Sequence, residues 1–117
     1  MKLRLTVGDQ KITATLIDSE TTRDFISLLP LTLTMNDLFE REKFAHLPRA
    51  ISEGGQRTQA YEVGDVIYWP PGPDVAVFYR HDGQSISAEI ILMAKTDAGV
   101  EALSMPSSLS VTFELVE

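Results

Sequence analysis

Apolar and polar residues alternate at both ends of the chain. Leu3, Leu5 and Val7 are separated by polar residues, and the same period of two runs from Leu109 to Leu115. This pattern is typical of strands that bury one face and expose the other. Because a strand cannot cover its apolar face alone, we expect the two end segments to be neighbours in a shared, closed sheet.

Between these ends, short strand patterns alternate with turn signals. Strand patterns occupy residues 12–16, 31–35, 66–69, 75–79 and 89–94, whereas residues 36–48 have no clean period and are interpreted as an irregular excursion. Helical spacing predicts one short helix over residues 19–29, and Asp97 is positioned to cap another that ends at Leu103. About eight strands and two short helices indicate a mainly β protein, and closure into a barrel would remove exposed sheet edges.

Composition restricts the classes of function. The 117 residues correspond to a single domain, 1–117, with 44% hydrophobic residues and no cysteine, which excludes disulfides and thiolate metal sites. A net charge of −7 without a basic stripe disfavours nucleic acid as a partner. No apolar run approaches the roughly 18 residues that span a bilayer, so we expect a soluble, cytoplasmic protein without membrane contact.

Six segments carry a resemblance to a known family: Ile12–Leu16, Thr21–Phe25, Leu31–Leu38, Lys43–Pro48, Tyr61–Gly72 and Val75–Tyr79. In these segments, and in its order of elements, the chain resembles the bacterial cyclophilin-like domain family of small proteins with unassigned function. The resemblance spans nearly the whole chain and is most distinctive at Tyr61–Gly72. It implies a closed cyclophilin-like β-barrel, but its motifs are structural and therefore specify fold better than activity.

True cyclophilins are prolyl isomerases whose site combines an arginine, a glutamine, aromatic side chains and a histidine around a proline pocket. Their Phe-Met-x-Gln-Gly-Gly-Asp signature is absent here, and Glu53–Arg57 contains a glycine pair with different flanks. We therefore expect a binding module without catalysis for a small molecule or peptide. A weak or atypical peptidyl-prolyl cis-trans isomerase is the alternative.

The candidate ligand-binding residues are Arg57, Gln59, Tyr61, Trp69 and Phe78. If residues 57–62 are extended, the first three alternate onto one face, where the arginine fork can hold a carboxylate or carbonyl. Trp69 and Phe78 flank the stiff, proline-rich segment 70–74, and aromatic side chains commonly line concave sites. The other interpretation of all five is an ordinary strand face and core packing.

No other cluster indicates chemistry. His46 and His81 are interpreted as exposed loop residues without metal-ligand spacing, so we expect no metal and no cofactor. Asp37, Glu40 and Glu42 lie beside cations and are interpreted as a solvated, mixed-charge loop. The sequence assigns no catalytic residue. A homodimer that buries the Tyr61–Trp69 face is a further alternative.

Overall fold

The computed structural model describes residues 1–83 and 89–116. Helix α1 spans Glu20–Ile26, and a short 3-10 helix spans Val100–Leu103. The strands in this part of the chain are β1 Lys2–Val7, β2 Gln10–Leu16, β3 Leu31–Leu38, β4 Glu42–His46, β5 Gln56–Thr58, β6 Asp65–Trp69, β7 Asp74–Phe78, β8 Ile90–Ala98 and β9 Leu109–Val116.

Eight of these strands close into an antiparallel barrel. Around the ring the order is β2-β1-β9-β3-β4-β7-β6-β8, and β8 pairs with β2 to complete it. β1 lies against β9 with Leu3 opposite Leu115 and Leu5 opposite Phe113, so the predicted pairing of the chain ends is confirmed. The extra strand β5 pairs with the start of β8, on the edge that β2 uses further along.

Helix α1 packs its apolar side onto the barrel core. Phe25 is fully buried and meets Phe113 edge-to-face, with ring centroids 5.8 Å apart. Ser19 caps the helix by accepting a hydrogen bond from Thr22 N at 3.1 Å. The predicted helix over 19–29 is too long, because residues 28 and 29 bond to carbonyls only three residues back and form a tight turn after Ile26.

The interpretation of residues 36–48 as irregular is wrong. β3 continues to Leu38, and after a tight turn β4 returns antiparallel to it. Lys43 occupies an inward position and is fully buried, where its Nζ lies 3.1 Å from Asp37 Oδ1 and donates to the carbonyls of Met105 and Ser107. The charged residue at a core position hides the alternation by which sequence reveals a strand.

The predicted helix cap at Asp97 is also wrong. β8 extends to Ala98 because its last residues pair with β2, so Asp97 lies within the strand. Its carboxylate instead binds Lys2 Nζ at 2.8 Å and accepts from Thr15 Oγ1 at 2.7 Å. Gly99, with φ of 91°, precedes the 3-10 helix and provides no side-chain cap.

Candidate functional site

The outer wall formed by β4, β7 and β6 is apolar where a barrel exterior is usually polar. Phe44 of β4 and Ile67 of β6 both lie opposite Ala76 of β7. Together with Phe78 and Ile90 they belong to the lining of one groove on this wall. Side chains on alternate positions of the same strands fill the barrel core, so these strands are apolar on both faces.

The groove has a cavity volume of about 420 Å³. Its described lining comprises Leu38, Phe39, Arg41, Glu42, Phe44, Ile67, Trp69, Asp74, Ala76, Phe78 and Ile90. Strands rise about 3.4 Å per residue, so the four steps from Asp74 to Phe78 along the groove span about 14 Å. The volume falls within the range of sites for small organic ligands.

Two exposed aromatic residues border the groove. Trp69 ends β6 and is 36% exposed, whereas Phe39 lies in the β3–β4 turn and is 75% exposed. The hydrogen bond from Arg41 N to Leu38 O closes this turn, and its central residues Phe39 and Glu40 have φ of 58° and 52°. Such left-handed backbone is unfavourable for residues other than glycine, so the turn holds Phe39 at a conformational cost.

One end of the groove is formed by a largely buried ion pair. Arg41 Nε and Nη2 lie 2.9 and 2.7 Å from Glu42 Oε2, and the Arg41 side chain is only 12% exposed. Its Nη1 lies 3.6 Å from Asp82 Oδ2. Burial raises the pKa of Glu42, and the neighbouring Arg41 charge opposes that shift. The guanidinium therefore already has carboxylate partners.

Aromatic rings pack against this ion pair. Tyr61 stacks on Phe78 at 4.1 Å between ring centroids and on His81 at 4.3 Å. The Tyr61 hydroxyl donates to Asp82 Oδ1 at 2.9 Å, and burial raises the pKa of Tyr61. The Arg41 guanidinium lies 5.4 to 5.6 Å from the rings of Phe39, Tyr61 and Phe78, within the range of cation–π contacts.

The opposite end is formed by Asp74, which lies between Trp69 and His46 across the strands. Asp74 is 6% exposed. His46 Nδ1 lies 2.5 Å from its Oδ1, yet no donor among residues 1–83 and 89–116 is aligned to hydrogen-bond with that oxygen. A Cβ on Gly72 would come within 2.3 Å of the Asp74 carboxyl carbon, so the absence of a side chain at Gly72 leaves room for this carboxylate.

The structure distributes the sequence-based candidates over different places. Trp69 and Phe78 line the groove, and Tyr61 packs behind Phe78. Arg57 lies in β5, where its Nη2 is 3.0 Å from Glu53 Oε1, and Gln59 is exposed after β5. Neither of these two residues belongs to the described lining.

Two residues at the groove are misinterpreted from the sequence: Glu42, which lines it, and His46, which contacts the lining residue Asp74. Glu42 is buried rather than part of a solvated loop, and His46 ends a strand beside Asp74 rather than lying in a loop. Glu42, Phe44 and His46 lie at every second position, as residues on one face of a strand do. The charge of Lys43 between them obscures the apolar alternation that usually reveals a strand. His81 is exposed, as expected, but it also stacks on Tyr61.

Within the described lining, aromatic rings offer stacking surfaces, Asp74 and Glu42 offer carboxylate acceptors, and the Arg41 guanidinium is bound to Glu42. The described lining holds no serine, threonine, cysteine or lysine that could act as a nucleophile. In the part of the chain that the structure describes, no three His, Cys, Asp or Glu side chains gather as a metal site. Among residues 1–83 and 89–116, neither helix is long and apolar enough to cross a membrane.

Comparison with known proteins gives a consistent relationship. The chain is similar to the solution structure of the hypothetical protein AF2241 from Archaeoglobus fulgidus, with a TM-score of 0.80 and 22% identity. The match covers 99% of this chain and 95% of that one, and at this identity it shows a shared fold. A search of curated proteins found no match. A family model matches residues 5–114, and the chain therefore belongs to the Cyclophilin-like family.

Proposed function

We propose that this protein is a non-catalytic binding module whose outer-wall groove holds a small organic molecule or one apolar side chain of a short peptide. The observation that carries the proposal is the apolar lining of a groove of about 420 Å³ on a wall that faces solvent. The groove is too small to seat a folded partner but matches a small ligand.

The aromatic border supports this proposal. Phe39 remains 75% exposed although its backbone is held in an unfavourable left-handed conformation. Beyond its cation–π contact with Arg41, the exposed ring buries little surface, and strain of this kind is commonly concentrated at functional sites. Phe39 and Trp69 together offer a ligand two faces for stacking.

The test uses N-phenyl-1-naphthylamine, a neutral apolar fluorophore that brightens when it leaves water. We expect saturable binding to the wild-type protein and weaker binding to Phe39→Ala and Trp69→Ala, because each change removes a border of the groove. Met105→Ala is the matched control, since Met105 is 49% exposed and lies outside the groove. Binding that is absent in the wild type, or equal in all four proteins, would contradict the proposal.

A peptidyl-prolyl isomerase is the second candidate, and the observation that favours it is an arginine beside an aromatic groove. Arg41 would have to bind a proline carbonyl while it is also bound to Glu42. A protease-coupled assay on a proline tetrapeptide separates the two functions. We expect the uncatalysed rate at high protein concentration, whereas a faster rate that Arg41→Ala abolishes would establish the isomerase.

A homodimer through the Tyr61–Trp69 face is the remaining alternative. Tyr61, Ile67 and Tyr68 are each at most 3% exposed, so they have little surface left to offer a second chain. Light scattering with size-exclusion chromatography distinguishes the cases. We expect a monomer, and a dimer that Trp69→Ala dissociates would favour the structural role over ligand binding.

A further inference from the structure

We propose that the ligand carries a protonated amine, which Asp74 binds at one end of the groove while the apolar body lies along Phe44, Ala76 and Phe78. This assignment of ligand class rests on the proposed binding function and adds the charge and orientation of the ligand. The polar groups at the two ends of the groove differ. Within the described chain, Asp74 Oδ1 has no aligned hydrogen-bond donor, whereas Arg41 at the other end is already paired with Glu42.

Asp74 is a buried carboxylate whose Oδ1 has one close nitrogen, His46 Nδ1 at 2.5 Å, and no aligned hydrogen-bond donor among the described residues. No donor in the described part of the chain is aligned with its Oδ1, although the residue is 94% buried. Buried carboxylates are ordinarily satisfied by several donors, because an unsatisfied charge away from water is unfavourable. An ammonium group carries up to three N–H donors and a positive charge, so it supplies what this site lacks.

The surroundings of Asp74 also favour a cation. Trp69 lies directly across from it in the β6–β7 pair and borders the groove, and an indole face attracts cations. His46 offers one ring nitrogen at 2.5 Å, but its side chain is 73% exposed and it can be displaced. The net charge of −7 attracts a cation over longer distances.

The opposite end disfavours an anionic ligand. Arg41 is the one cation of the described lining, and its guanidinium is already bound by Glu42 and lies near Asp82. A ligand carboxylate placed there would be the third negative group around one positive charge, which is unfavourable. The middle of the groove, at Phe44, Ile67 and Ala76, is apolar and accommodates a hydrocarbon or aryl body.

The experiment compares three probes that share one body: 4-phenylbutylamine, 4-phenylbutan-1-ol and 4-phenylbutyrate. Trp69 is the single tryptophan of the chain, so its fluorescence with excitation at 295 nm reports binding at the groove. Titrations at pH 8 lie above the usual range in which histidines are protonated, while the amine stays charged. We expect the amine to bind about tenfold more tightly than the alcohol, as one charge-assisted hydrogen bond provides, and the carboxylate to bind most weakly.

Two variants locate the effect. Asp74→Asn keeps the shape of the side chain and removes its charge, so the amine should fall to the affinity of the alcohol. Asp9→Asn removes the same charge from an exposed turn outside the groove and should leave the tenfold preference intact. The Asp74 amide resonance of the wild type should also shift further on saturation with the amine than on saturation with the alcohol, which is informative even where Asp74→Asn does not fold.

The outcomes separate the two proposals. Equal affinity of the amine and the alcohol, with a Trp69 response to both, overturns the amine proposal and leaves the binding function standing. An amine preference that survives in Asp74→Asn also overturns it, because the preference would then arise from overall charge. No response to any of the three probes at millimolar concentration overturns both proposals.

Discussion

The backbone of the turn before β4 is strained, so a substitution at an exposed residue of this turn should change the stability of the fold. Glu40 is exposed, has φ of 52°, and uses its backbone amide to bind Asp37 Oδ2 at 2.9 Å, a bond that glycine would keep. A left-handed non-glycine residue costs about 1–2 kcal/mol. Glycine also increases the conformational entropy of the unfolded chain, which offsets about 0.5–1 kcal/mol of the relieved strain. Glu40→Gly should therefore raise the free energy of unfolding by about 0.5–1 kcal/mol.

Differential scanning calorimetry and urea unfolding measure this change. For a domain of this size the gain corresponds to a rise in Tm of about 2–5 °C. Asp9→Gly is the matched control, because Asp9 is an exposed acidic turn residue that is not among the positive-φ positions of the described chain. There the added flexibility should lower stability by about 0.5–1 kcal/mol. Equal losses of stability in Glu40→Gly and Asp9→Gly would refute the claim that the backbone of the turn is strained.

Three further changes probe the parts that support the groove and the core. Gly72→Ala would place a Cβ 2.6 Å from the backbone nitrogen of Asp74, so we expect a loss of about 1–3 kcal/mol in urea unfolding and weaker binding of the amine probe. Asp37→Asn leaves buried Lys43 with carbonyl partners alone and should cost about 3 kcal/mol at pH 7. Burial tends to raise the pKa of Asp37, but hydrogen bonds from neighbouring side chains lower it below 3.8 in the folded protein. The stability lost in Asp37→Asn should therefore be fully present above pH 3.8 and should vanish as the pH falls through the pKa of the folded state. Unfolding measured as a function of pH tests this dependence. Tyr68→Phe removes the acceptor of a buried backbone amide at 3.1 Å and should cost about 1–2 kcal/mol in the same assay.

The barrel was predictable because its closing strands bury one face each. The alternation in β1 and β9 follows from their solvent-facing polar side, and their pairing followed from the need to cover the apolar side. β4 was not predictable in this way, because Lys43 occupies an inward position. The compensation that allows a buried lysine there comes from Asp37 and from carbonyls more than 60 residues later, which no local pattern contains.

The groove was predictable only in its aromatic residues. Trp69 and Phe78 stand out by residue type, and both line it. Asp74 and Arg41 look like ordinary charged turn residues in the sequence, and their burial depends on which strands lie beside them. Arg57 and Gln59 stood out as polar residues on a predicted strand, but β5 lies on the far edge of β8 and places them outside the described lining.

The most direct test of the groove as a binding site is an isotope-filtered NOESY spectrum of labelled protein with unlabelled 4-phenylbutylamine. We predict contacts from the phenyl protons to Phe44 and Phe78, and from the methylene beside the nitrogen to Trp69. A second shallow depression, bordered by Leu29 and Leu115 beside Glu114, offers an internal comparison. Contacts confined to that depression, or none to the groove, would contradict the account.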